Sequence, residues 1–126
     1  MEVALNRKAN QFDIKILALL AFVVPNIVVA ESPDLSGSYT MAGKSDLSQS
    51  EYSGTCELSQ IDDHYEVECL SSGDQYQGRG MLTDGVFSLY LGQFLVVYQV
   101  AKDGSLAGRW VHSGNGEMGR ETLTPT

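Results

Sequence analysis

Beyond Pro33 the apolar residues of this chain alternate with polar ones, and Gly or Asp-Gly interrupts the alternation every eight to twelve residues. A period of two marks half-buried strands, and turn signals at that spacing mark an antiparallel sandwich or barrel. No stretch sustains a helical period. The pattern predicts eight strands, at 37–42, 52–61, 64–70, 75–83, 86–91, 94–101, 105–112 and 117–124. Ala42 to Glu51, reading Ala-Gly-Lys-Ser-Asp-Leu-Ser-Gln-Ser-Glu, is polar enough to be expected as a loop.

Local turn chemistry fixes three registers. With Asp62-Asp63 as a two-residue turn, Ile61 faces His64, Leu58 faces Val67 and Cys56 faces Cys69. Asp84-Gly85 is a strong type I′ signal that pairs Leu82 with Phe87, Gly80 with Leu89 and Gly78 with Leu91. Lys102-Asp103-Gly104 suits a three-residue turn with positive φ at Gly104, pairing Val100 with Leu106, Tyr98 with Gly108 and Val96 with Trp110. All three leave coherent apolar faces, and agreement between local and global levels is what a foldable sequence shows. An apolar or aromatic residue, a spacer and a glycine recur near strand starts: Leu35-Ser-Gly37, Tyr52-Ser-Gly54, Tyr76-Gln-Gly78 and Leu106-Ala-Gly108. Glycine weakens a strand, so its repeated use implies sharp coiling or a bulky neighbour lying against the backbone.

These elements make the fold class all-β: a small antiparallel up-and-down barrel or flattened sandwich of about eight strands, in which closure removes exposed edges. Leu82, Phe87, Leu89, Leu91, Val96, Tyr98, Val100, Leu106 and Trp110 all point inward in these registers. So many large side chains are expected to fill a small barrel and leave at most a shallow pocket.

Cys56 and Cys69 are the only cysteines, and the hairpin register sets them at a non-hydrogen-bonded pair, where Cα atoms approach to roughly 4.5 Å. This predicts a cross-strand disulfide and therefore an oxidising compartment. The first thirty residues agree. Arg7, Lys8 and Lys15 precede an uncharged apolar run, Ile16 to Val24, followed by Pro25 and the small-residue stretch Val28-Val29-Ala30. That is the shape of a secretory leader, and the run falls short of the ~20 residues that span a membrane. The expected division is a signal peptide at 1–30 and one barrel-like domain at 31–126, periplasmic or secreted, with no stable membrane anchor after cleavage.

Of 8 basic and 16 acidic residues, three basic and two acidic fall in the leader. The remaining 5 against 14 give a net charge of -9. Nucleic acid and anionic membranes need clustered Lys and Arg, so neither is an expected partner.

No catalytic constellation emerges. His64 reads as the tip of a polar hairpin and His112 as a loop residue, and neither has a second ligand at metal spacing. Asp62, Asp63 and Glu66 lack the ordered spacing of a calcium loop. No Ser lies in a nucleophile elbow, and Gly78-Arg-Gly80 and Gly114-Asn-Gly116 do not open helices. No cofactor or metal is expected, and the chain reads as non-enzymatic. Two residues stand out as candidate binding groups. Glu121 shares strand parity with Leu123, so an inward Leu123 takes Glu121 with it, in need of a partner such as Arg79, Arg109 or Arg120. Alternatively Met118 and Thr122 line the core and Glu121 is solvated. Trp110, the sole tryptophan, can serve the core or a ligand platform.

From Tyr52-Ser-Gly-Thr55 to its end the chain resembles a family of small exported bacterial proteins described as fibronectin-binding proteins. The likeness rests on Tyr65-Glu-Val67, Tyr76-Gln-Gly-Arg-Gly80, Val97-Tyr98, Asp103-Gly-Ser-Leu-Ala-Gly-Arg-Trp110 and Gly119-Arg-Glu-Thr-Leu123. It implies a signal peptide followed by a compact β domain with an adhesive role. The leading functional expectation is thus an exported protein that binds another protein, such as an extracellular matrix protein. A small-ligand or lipid-carrying barrel with Glu121 and Trp110 near its mouth comes second. An inhibitor of a cationic lytic enzyme, suited to the -9 charge, comes third.

Overall fold

Each of the three hairpins closes in the register its turn chemistry requires. In the computed structural model, which describes residues 33–126, Cys56 pairs with Cys69, Gly78 with Leu91 and Tyr98 with Gly108. Asp84 and Gly85 both carry positive φ, of 51° and 80°, as a type I′ turn demands. Gly104 has φ 89°, and the three-residue turn around it is closed by the Ala101 N–H donating to the Ser105 carbonyl at 2.8 Å. The expected leader, residues 1–30, lies outside the described residues.

The strands are β1 (Gly37–Ser45), β2 (Glu51–Ile61), β3 (His64–Ser71), β4 (Asp74–Thr83), β5 (Val86–Leu91), β6 (Phe94–Val100), β7 (Leu106–His112) and β8 (Met118–Pro125). Each pairs antiparallel with the next, and β8 returns to β1, so the sheet is a closed eight-stranded up-and-down barrel. The segment 42–45, expected as loop, belongs to β1. Its polar composition hides a strand whose outward positions are solvated and whose inward positions are the small residues Gly43 and Ser45. It is ordered by pairing on both sides, Gly43 with Tyr52 and with Glu121.

The inward residues form one core. Phe87, Leu106, Tyr98, Leu58 and Leu123 are fully buried in its lower and middle layers. The disulfide forms as predicted and lies in this core, with a Cα–Cα distance of 4.1 Å. Glu57 and Glu68 are exposed on the outer face of the same hairpin and Glu66 is half-buried there, its carboxylate 2.9 Å from Arg79 Nε.

The two ends differ. At the end bearing the 62–63, 84–85 and 101–105 turns, the chain preceding β1 folds across the opening. Leu35 is buried there, its N–H donating to the Tyr65 hydroxyl at 3.1 Å and its carbonyl accepting from Tyr39 Oη at 2.6 Å. Ser36 Oγ accepts from the Gln60 N–H at 3.0 Å. The opposite end, bearing the turns around 46–50, 72–73, 92–93 and 113–117, has no such plug among the described residues.

Candidate functional site

The unplugged end contains a cavity of about 370 Å³. Its walls are Met41, Leu91 and Val96 with the rings of Tyr52, Tyr76, Phe94 and Trp110. Small hydroxyls line it as well, Ser45, Ser48 and Ser50 on one side and Ser71 and Ser72 on the other, together with Glu51 and Glu117. Glu121 is the acid buried deepest among the lining residues, with 7% of its surface exposed. The expectation of a filled interior therefore fails at this end, although all nine side chains named for it do pack in or against the core.

The cavity exists because the upper layer contains glycine where a barrel would ordinarily place side chains. A Cβ on Gly43 would fall 2.2 Å from the Tyr52 ring, and one on Gly119 would fall 2.3 Å from the Trp110 indole. Both rings consequently lie flat against the wall instead of projecting across the lumen. Glu121 is itself flanked in register by glycines, Gly43 on β1 and Gly108 on β7. Space beside the carboxylate is filled from the second strand on each side, by Tyr52 on β2 reaching over Gly43 and Tyr98 on β6 reaching over Gly108.

These two tyrosines are the partners of Glu121. Tyr52 Oη donates to Oε1 at 2.7 Å, and Tyr98 Oη donates to Oε2. The arginines considered from the sequence are elsewhere. Arg79 pairs with Glu66 outside the barrel, Arg109 pairs with Asp46 at 3.0 Å, and Arg120 points to solvent. The buried acid therefore has hydrogen bonds but no counter-charge among the described residues. Burial raises the Glu121 pKa above the ordinary glutamate value, and the two tyrosine hydrogen bonds only oppose that rise. Burial, with the Glu121 charge next, drives the Tyr52 and Tyr98 hydroxyls well above the usual phenol range, so both remain donors.

Trp110 is buried on the same wall, packed edge-to-face against Phe94 at 5.3 Å, with Phe94 in turn edge-to-face on Tyr76 at 6.0 Å. Its Nε1 has no hydrogen-bond partner of acceptable geometry, although the indole bears on the Tyr52 hydroxyl and opposes the rise in its pKa. Thus the structure brings Glu121 and Trp110 together in one cavity. Tyr52, Tyr76 and Phe94 complete it and were not singled out from the sequence. Their signal was strand parity, since each shares the inward face of its strand with residues already assigned to the core.

Of the remaining candidates, His64 lies away from this cavity, whereas the His112 ring packs edge-to-face on the wall residue Phe94 at 4.9 Å. His64 sits at the plugged end with Nε2 3.3 Å from Glu66 and Nδ1 3.7 Å from Asp63. His112 is the last residue of β7 rather than part of the loop. Its Nδ1 accepts from the Gly114 and Asn115 N–H groups at 3.0 and 3.2 Å, which shapes the 113–117 turn. Among the described residues, no group of three or more His, Cys, Asp and Glu side chains is arranged to hold a metal ion.

No family model and no curated protein matches the chain. Solved structures do, and they are β-barrels. A redesigned β-barrel superposes with a TM-score of 0.56 at 14% identity, covering 73% of this chain and 91% of its own. A de novo designed fluorescence-activating β-barrel superposes with a TM-score of 0.54 at 19% identity, covering 72% and 93%. At such identities the likeness is one of fold.

Proposed function

We propose that this protein is a non-enzymatic carrier or receptor for a small organic molecule, bound in the open end of the barrel. One observation supports the reading above others: a cavity of about 370 Å³ whose buried acid, Glu121, is held by Tyr52 and Tyr98. Small-molecule sites typically measure roughly 300–1,000 Å³ and combine apolar walls with a few convergent polar groups. This cavity has both features. Binding without turnover fits the chemistry of the group. The tyrosines are donors held far from ionisation, and among the described residues no second carboxylate or nucleophile is hydrogen-bonded to Glu121.

The Cys56–Cys69 disulfide favours a non-cytoplasmic location. Together with the leader-like first thirty residues it supports action in the periplasm or after secretion. The test of function is a titration of small aromatic and aliphatic compounds followed by the fluorescence of Trp110, the sole tryptophan. Val96→Phe, which puts a ring into the cavity, is expected to abolish any response without changing the far-ultraviolet circular dichroism. Binding that survives Val96→Phe contradicts the reading.

A second reading has its own observation. Tyr90, Leu95, Val111 and Met118 are successive cross-strand neighbours on the outer face of β5 to β8, and Tyr90, Leu95 and Met118 are about half exposed. Such a stripe suits a protein partner, as the resemblance to adhesive exported proteins implies. Leu95→Glu should abolish a protein complex formed there and leave small-molecule binding unchanged.

A further inference from the structure

The charge of the cavity narrows the class of ligand. Among the described residues its lining includes Glu51, Glu117 and Glu121 and no Lys or Arg. The three basic side chains nearest in register, Lys44, Arg109 and Arg120, all occupy outward positions on β1, β7 and β8. An anionic ligand such as a fatty acid would enter a site with three carboxylates and no counter-charge. A neutral ligand would leave Glu121 as a buried acid without a cation. An organic cation corrects the imbalance, and four aromatic rings provide the walls that favour one. Aromatic faces carry negative potential and attract ammonium groups, most strongly where water is excluded.

Resting on the small-ligand reading above, we propose that the cavity selects an organic cation, a quaternary or protonated amine carrying an apolar or aromatic body. The positive group lies among Tyr52, Tyr76, Phe94 and Trp110 within reach of the Glu121 field, and the apolar body contacts Met41, Leu91 and Val96. The serine rim and the carboxylates Glu51 and Glu117 draw the cation in and repel anions. A coupling to pH follows. The groups facing Glu121 are Gly43 on β1, Tyr52 on β2, Tyr98 on β6 and Gly108 on β7, with Glu51 and Glu117 at the rim. The tyrosines remain neutral donors, so within this hydrogen-bonded group the change of charge belongs to Glu121. Affinity for a cation that itself cannot titrate rises with pH as Glu121 loses its proton.

Three probes of similar size separate the possibilities: benzyltrimethylammonium, its uncharged carbon isostere neopentylbenzene, and 4-phenylbutyrate. The cation is expected to bind at least tenfold more tightly than the isostere, with the carboxylate weakest, and to gain affinity as pH rises. Glu121→Gln should weaken the cation about tenfold and remove most of its advantage over the neutral probe, with an unchanged far-ultraviolet circular dichroism showing that the variant is folded. Equal binding of cation and isostere, or a cation affinity indifferent to Glu121→Gln, overturns the cation proposal while leaving the small-ligand reading intact. Failure of all three probes to bind at saturating concentration counts against both.

Discussion

At Glu121 two demands conflict. The carboxylate is withdrawn from water, which favours the protonated form, and two tyrosine hydroxyls donate to it, which favours the charged form. Burial wins, because no cation among the described residues compensates it, and the folded-state pKa lies above the ordinary 4.5. The sign of the consequence is fixed by linkage. Between the unfolded value and the raised folded value the native state holds more protons than the unfolded chain, so stability falls as pH rises through that window. The difference from a single variant isolates this carboxylate from the rest of the acidic surface. Glu121→Gln keeps the shape and one acceptor oxygen, its amide nitrogen donating to whichever tyrosine hydroxyl then turns to accept. Chemical denaturation at a series of pH values should show the wild type losing stability relative to this variant from about pH 4.5 upward. A difference that is constant with pH would show that the site imposes no such burden on the charge.

At the scale of elements, the β2–β3 hairpin is joined by Cys56–Cys69 across a sequence separation of 13. A link over so short a loop removes unfolded-state entropy amounting to about 2–4 kcal/mol. Both sulfurs are buried in the core, so alanine is the appropriate replacement. The double variant is expected to lose about 2–4 kcal/mol in urea denaturation while retaining ligand affinity, since neither cysteine lines the cavity. Lost affinity in a folded double variant would make the disulfide part of the site.

This hairpin was legible in the sequence, as were the other two, because a two- or three-residue turn fixes register and register fixes every facing pair. The β1 extension was not, since Gly43 and Ser45 give no apolar alternation to read. The cavity was hidden for a related reason. Counting large inward residues omits the glycines opposite them, and it is Gly43 and Gly119 that let two rings lie along the wall. Glu121 was legible as an inward acid through its parity with Leu123. Its partners were not. Tyr52 lies 69 residues away and reaches it only through the β8–β1 closure. Tyr98, 23 residues away, reaches it across Gly108 only once β7 and β8 are paired in register.

The whole molecule has two faces of different character and two unlike ends. Leu35, Tyr39 and Tyr65 seal one end, and the core beneath is filled. The loops 46–50 and 113–117 sit at the other end, where Ser48, Ser50 and Glu117 line the cavity. A rigid barrel thus holds its binding groups on strands and leaves the rim to short loops, an arrangement that positions side chains with little reorganisation.

The central claim, that the interior of the open end binds the ligand, can be tested on one nuclear resonance spectrum. Trp110 is the sole tryptophan, so its indole N–H gives a single identifiable ¹⁵N–¹H signal from the cavity wall. On titration with benzyltrimethylammonium or neopentylbenzene, that signal and the amides of Gly43, Ser45 and Glu121 are expected to shift saturably, while those of Tyr90, Leu95 and Met118 stay in place. An indole signal that does not move at saturating concentrations of either probe, or shifts confined to the outer stripe, would contradict it.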